Sequence, residues 1–257
     1  MRLSPLLSLA VVSLLSLSIF GCDSAPGRPK AGPEVPRPEQ VQDFATLYKQ
    51  NCAACHGENG RQGAAVSLAN PEYLALAGED TLLQVTAKGV PGTLMPAFAQ
   101  SAGGMLTDRQ IRSLVDGMIK QWGKPGILAG QNPPAYAATG AGDPQQGQQV
   151  FATYCARCHG ADGRGMTAKD AGAAKAEKSF GSIVDPSYLA LVSDQSLRTT
   201  TIVGVPGEGM PDWRNDVASH AMTDKEVTDV VAWLASQRTP YPGQPYPTAP
   251  AAQQHPH

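Results

Sequence analysis

Cys52-Ala53-Ala54-Cys55-His56 and Cys155-Ala156-Arg157-Cys158-His159 put one five-residue pattern, Cys-x-x-Cys-His, at two points of a single chain, each followed by glycine. This spacing is the attachment signature of a c-type haem. The two thiols are set to form thioethers with the porphyrin vinyl groups, and the adjacent imidazole is set beneath the iron as an axial ligand. The competing use of such cysteines is a zinc site or a disulfide. Two matches in similar contexts favour two covalent haems, held by Cys52 and Cys55 with His56, and by Cys155 and Cys158 with His159.

The surrounding residues repeat as well. Asn70-Pro71-Glu72-Tyr73-Leu74-Ala75-Leu76 returns as Asp185-Pro186-Ser187-Tyr188-Leu189-Ala190-Leu191, 115 positions on, and Gly89-Val90-Pro91-Gly92 returns as Gly204-Val205-Pro206-Gly207. Met95-Pro96 returns as Met210-Pro211 at the same offset, whereas the two haem motifs are 103 apart, so 12 extra residues fall in the second copy, near Met166 to Ser182. The chain is thus a tandem duplication.

Each copy carries the signals of a small all-α unit. A helix leads into each haem motif, over Asp43–Asn51 and over Pro144–Tyr154. The last helix of each copy opens on a capping box, Thr107-x-x-Gln110 and Thr223-x-x-Glu226. Behind these boxes Ile111, Leu114, Val115, Met118 and Ile119, and Val227, Val230, Val231 and Leu234, recur at helical spacing. Phe44 aligns with Gly147, and Gly117 with Trp233, a large–small exchange between first and last helices. It predicts that Phe44 meets Gly117, and Gly147 meets Trp233, at a helix crossing whose total volume is kept.

The sixth coordination position of each iron needs a second ligand. His255 and His257 lie at the end of the chain and His220 has no partner in the first copy, so two bis-histidine haems are hard to build. Met95 and Met210 are better placed, each in a loop before the last helix and each followed by a stiffening proline. Met105 and Met222, read as corresponding between the copies, and His220 are the rivals; Met118 and Met166 read as packing residues.

The order Cys-x-x-Cys-His, Met-Pro, capped amphipathic helix resembles class I cytochrome c, and its doubled form resembles the dihaem cytochromes c of bacterial respiratory chains. The resemblance covers about residues 41–122 and 143–238. It implies an all-α fold of two tandem class I cytochrome c domains joined by a Pro/Gly-rich linker at 123–142, with two haem c groups ligated by His56 and Met95 and by His159 and Met210. The function it implies is one-electron carriage between membrane redox complexes or other carriers, free or as a fixed subunit of a respiratory or photosynthetic complex. No catalytic residue is expected; the alternative is a dihaem redox enzyme of the peroxidase or thiosulfate-oxidising type.

The ends of the chain speak to location. Arg2 precedes an apolar run from Leu6 to Phe20, the shape of a signal segment. Ile19-Phe20-Gly21-Cys22 resembles a bacterial lipobox, which implies removal of residues 1–21 and lipidation of Cys22. Residues 22–40 then form a Pro-rich tether, extended at about 3.1 Å per residue, and residues 239–257 a Pro-rich tail. The five cysteines are all used, four for haem and Cys22 for lipid, which leaves no pair for a disulfide. The expected location is the periplasmic face of a bacterial membrane. A net charge of −2 with no basic stripe excludes nucleic acid as a partner.

Overall fold

The computed structural model describes residues 32, 35–166, 180–215 and 219–239. The signal segment, Cys22, most of the tether, most of the extra segment and the tail from 240 onward lie outside the described residues. Residues up to Gln40 form one unit, in which Pro38–Gln40 make a 3-10 turn and the Arg37 amide donates to Gln40 Oε1 at 2.7 Å. The chain from Val41 forms a second unit, which holds both haem motifs.

Among the described residues that second unit is helical. In the first copy α1 (Phe44–Asn51) runs into the short α2 (Ala53–His56), then α3 (Pro71–Lys88) and α4 (Asp108–Trp122). In the second copy α5 (Pro144–Tyr154) runs into α6 (Ala156–His159), followed by α7 (Pro186–Leu191), α8 (Asp194–Val203) and α9 (Asp224–Ser236). The starts are set by side chains that satisfy free amides. Asp43 accepts from the Thr46 amide, Asn70 from those of Glu72 and Tyr73, Asp143 from Gln145 and Gln146, and Asp185 from Ser187 and Tyr188. Both expected capping boxes form in full.

The helical path after each haem motif is interrupted at the same place in both copies. Within α3, Gly78 takes φ 74°, ψ 160° and kinks the axis. Its counterpart at an offset of 115 is Ser193, which caps α8 after the break at Val192. Glycine tolerates the positive φ at the kink between the two halves of α3; at the equivalent break Ser193 caps a separate helix.

First and last helices pack as the volume exchange predicts. A methyl group built on Gly117 would stand 2.2 Å from Phe44 Cδ2, and one built on Gly147 would stand 2.0 Å from the Asp229 carbonyl oxygen and 2.8 Å from Trp233 Cβ. In the first copy the ring of Phe44 fills the space, edge-on to Trp122 at 5.6 Å. In the second Trp233 does so, 4.3 Å from Phe151. The apolar stripes behind the capping boxes form the cores: Leu114, Val115, Val227 and Val230 are buried completely or nearly so.

The extra segment of the second copy leaves and returns through one pair of residues. Met166 and Phe180 exchange backbone hydrogen bonds of 3.1 and 2.9 Å. The stretch between the copies is also fixed. Arg198 is 2% exposed and donates from Nε and Nη2 to the Ala135 carbonyl and from Nη1 to Thr228 Oγ1, and it pairs with Asp224, which in turn accepts the Ala135 amide at 2.9 Å. Next to it the Tyr136 carbonyl accepts from Gln195 Nε2 at 2.8 Å, while the hydroxyls of Tyr136 and of Tyr73 in α3 are close enough to influence each other's ionisation. The linker thus ties the two copies together.

Candidate haem sites

Each haem motif is a single helical turn. The amides of His56 and His159 donate to the carbonyls of Cys52 and Cys155, which brings the histidine over the first cysteine. Gly57 and Gly160 end these turns at φ 83° and 78°. In the first copy the chain then folds tightly under the motif. A methyl group on Gly57 would meet the Arg61 carbonyl oxygen at 1.9 Å, and one on Gly63 would meet the Cys55 oxygen at 2.2 Å. This loop delivers Val66, whose carbonyl lies 2.8 Å from His56 Nδ1.

That bond tests whether the residues fit a haem. It holds the proton on Nδ1, fixes the ring and leaves the Nε2 lone pair for a metal, as ligating histidines require. Burial lowers the pKa of both His56 and His159, which favours the neutral imidazole whose lone pair a metal needs. Burial also pushes the Cys52 thiol up to about 11 and the Cys155 thiol to about 12. Cys55 is exposed where Cys52 is buried, while Cys155 and Cys158 are both half-buried. His159 Nδ1 is buried and has no partner among the described residues. Also among the described residues, no three of His, Cys, Asp and Glu are grouped to hold a metal ion by themselves.

The two methionine loops are built alike. Val90 donates to the Met95 carbonyl at 3.0 Å and Val205 to the Met210 carbonyl at 3.0 Å. Each loop folds onto the glycine that ends the preceding helix. A methyl group on Gly89 or Gly204 would stand 2.6 Å from the Met95 or Met210 carbonyl oxygen. Both glycines have φ/ψ near +65°, −170° (69°, −170° and 63°, −172°), a region essentially closed to other residues. The repeated Gly-Val-Pro-Gly is therefore the hinge that presents each Met-Pro. Met95 and Met210 are both half-buried.

The rivals are placed otherwise. Met105 and Met222 do not correspond: Leu106 donates to the Phe98 carbonyl as Met222 does to that of Trp213, so Leu106 is the counterpart of Met222. Met105 and Met222 lie 117 positions apart, one more than the offset of 116 that relates the caps and pairs Leu106 with Met222. Met222 is 4% exposed and sits in the core, whereas Met105 is 82% exposed. His220 is engaged elsewhere, its Nε2 lying 3.1 Å from both the Tyr154 hydroxyl and Glu226 Oε1. Met118 is core, and Met166 is the neck of the extra segment.

Comparison with known proteins agrees with this construction. Residues 144–238 match the cytochrome c family, and residues 39–116 match the family of subunit III of the cbb3-type cytochrome c oxidase. Similar proteins include a cbb3-type cytochrome c oxidase subunit FixP of Sinorhizobium medicae, 30% identical over 49% of this chain and 43% of that protein. A subunit FixPc of Rhizobium leguminosarum is 27% identical over 72% and 57%. A thiosulfate dehydrogenase of Stutzerimonas stutzeri is 29% identical over 50% and 44%. The matched stretch thus spans about half the length of these relatives.

The chain consists of two cytochrome c domains in tandem, all-α among the described residues, and it is a dihaem cytochrome with covalently bound haem c. Among the described residues no helix is long and apolar enough to cross a membrane.

Proposed function

We propose that this protein passes single electrons as a dihaem subunit of a membrane redox complex of the cbb3 oxidase kind. The observation that carries this reading is the repeated methionine loop, Gly89 to Met95 and Gly204 to Met210, bonded in the same way in both copies. A bound haem supplies a one-electron couple. The residues of this chain hold it and limit access to it. In this reading Cys52 and Cys55, and Cys155 and Cys158, anchor the two groups covalently, while His56 with Met95 and His159 with Met210 fill the axial positions. Hinges closed to residues other than glycine keep each thioether in place. Two filled positions leave no room for a substrate, which favours carriage over catalysis.

The same reading divides the chain into domains at 41–122 and 143–238, with 123–142 as the link. It places the protein on the periplasmic side, held by lipid on Cys22 after loss of residues 1–21. The cbb3-type relatives favour a fixed subunit over a free shuttle.

Two experiments test it. The oxidised, haem-loaded protein should be low-spin with a near-infrared methionine-to-iron band, and Met95→Ala and Met210→Ala should each remove about half of that band. A high-spin haem in the resting wild-type protein would overturn the assignment. Purification from native membranes in mild detergent should bring oxidase subunits with the chain; recovery of the chain alone would favour a shuttle. The second reading, thiosulfate oxidation, rests on the Stutzerimonas stutzeri relative. It requires that thiosulfate reduce the haems directly, at a rate lost when one axial methionine is fixed by a stronger ligand.

A further inference from the structure

The first turn of α3 in domain 1 reaches across to domain 2 at two points, and both bracket the Met210 loop. Asn70 Nδ2 donates to the Val203 carbonyl at 3.3 Å in a buried setting. Val203 ends α8 and precedes Gly204, the hinge onto which Met210 folds. Two residues along α3, Glu72 Oε1 lies 3.5 Å from Arg214 Nη2. Arg214 stands just beyond the loop. It pairs with Asp212, which accepts its amide at 2.8 Å, and its guanidinium lies 4.5 Å from the centre of the Trp213 ring. Trp213 is 2% exposed and is bonded by its amide to the Ile202 carbonyl at 2.9 Å. The loop from 204 to 213 is thus clamped at its start through Val203 and at its end through Arg214, both from a single turn of the other domain.

The arrangement has no counterpart in the other direction. At an offset of 115 the equivalents of Val203 and Arg214 are Lys88 and Ala99, and those of Asn70 and Glu72 are Asp185 and Ser187. Alanine cannot form an ion pair, and a carboxylate has no hydrogen to donate. Among the described residues the Met95 loop is held by bonds within its own domain: Val90 to the Met95 carbonyl, the Met95 amide to Thr93 Oγ1 at 3.2 Å, and at its far end the amides of Phe98 and Ala99 to the Thr86 and Ala87 carbonyls of α3 at 3.2 and 3.0 Å. Leu94, beside the methionine, is 86% exposed.

We infer that domain 1 acts as a brace for the sixth ligand of domain 2, with Asn70, Glu72 and Arg214 as positioning residues, so that Met95 is the exchangeable ligand and Met210 the locked one. The inference rests on the assignment of Met95 and Met210 as axial ligands. External ligands of the soft or imidazole class enter at domain 1 first, and separating the domains loosens the site in domain 2.

Imidazole titration of the full, haem-loaded chain tests this, with loss of the near-infrared methionine band as the signal. Met95→His leaves Met210 as the only source of the band, and Met210→His leaves Met95, so each site is read alone. The band should be lost at several-fold lower imidazole for Met95 than for Met210. Asn70→Asp keeps the oxygen that caps the helix, removes the donor to Val203 and sets a carboxylate oxygen against the Val203 carbonyl, so its effect is at least that of the lost hydrogen bond. Glu72→Gln removes the charge facing Arg214. Each should lower the midpoint for Met210 by about fivefold, as loss of one net hydrogen bond predicts. Neither should move the midpoint for Met95. Equal midpoints at the two sites in the wild-type background, or a Met210 midpoint unmoved by both substitutions, would overturn the brace while leaving the ligands assigned. A band unaffected by Met210→Ala would overturn the ligand assignment itself, and the brace with it.

Discussion

Replacing Gly204 with alanine asks whether the methionine loop depends on its hinge. The cost has two sources. Gly204 has φ 63° and ψ −172°, a conformation that costs other residues about 1–3 kcal/mol. The added methyl group would also stand 2.5 Å from the Pro211 oxygen and 2.6 Å from the Met210 oxygen. Both are backbone atoms, so no side chain can swing aside, and overpacking of this kind adds about 1–3 kcal/mol. The sum, about 2–6 kcal/mol, lowers the melting temperature of a domain this size by at least about 8 °C. Two neighbouring glycines calibrate the result. Gly209 has φ 83° but open space around it, so Gly209→Ala should cost about 1–2 kcal/mol from strain alone. Gly207 has neither a positive φ nor a neighbour within 4 Å, and Gly207→Ala should stay within about 0.5 kcal/mol of the parent. Thermal melts of the haem-loaded variants by circular dichroism, with the near-infrared band recorded alongside, give the ranking. If Gly204→Ala melted with Gly207→Ala and kept its full band, the glycine would not be the hinge.

Gly117→Ala should destabilise domain 1 by about 1–3 kcal/mol by driving into the Phe44 ring, and the double variant Phe44→Ala/Gly117→Ala should show positive coupling in chemical denaturation. Arg198→Met should cost about 2–3 kcal/mol by leaving the Ala135 carbonyl and Thr228 without their donor, and hydrogen exchange should show the amides of Ala135 and Tyr136 opening first. Asp43 accepts from the Thr46 amide and hydroxyl, which holds its carboxyl below the usual 3.8. A lowered folded pKa means that the cap stabilises α1 above about pH 4 and that this is lost as pH falls through the folded value. Asp43→Asn, which keeps the cap without the charge, should flatten that part of the acid titration of stability.

The covalent sites, the duplication, the capping boxes and the helix crossing were all legible in the residues. Each rests on local chemistry or on comparing the copies with each other. Phe44 against Gly117 could be read because a duplication supplies its own control: what one copy gains in the first helix it loses in the last. The same comparison misled where the offset drifted. Met105 and Met222 look paired at 117 apart, but the fold pairs Met222 with Leu106. The contacts of Arg198 with Ala135 and of Tyr136 with Tyr73 could not be read, because they join residues 63 apart in sequence whose partners include a carbonyl that every residue has. The Gly-Val-Pro-Gly repeat was visible, yet its role needed the backbone angles of Gly89 and Gly204.

Duplicated domains start out identical on every face, so any lasting contact between them must break that identity somewhere. Here the break is close to the smallest that chemistry allows. Asn70 and Asp185 occupy equivalent positions and cap equivalent helices through the same kind of oxygen. The amide of Asn70 has a second function that the carboxylate of Asp185 lacks, a donor hydrogen, and it spends that hydrogen on Val203 of the other domain. Glu72 against Ser187, and Arg214 against Ala99, extend the same one-way pattern. Each domain thus keeps the cap that its own fold needs, and the Asn70 and Glu72 bonds that cross between them lead toward the Met210 loop. An Asn70→Asp variant gives the two caps the same residue type, but position 70 is buried where Asp185 is exposed, so the carboxylate set against the Val203 carbonyl should destabilise the contact that distinguishes one haem site from the other by about 1–3 kcal/mol.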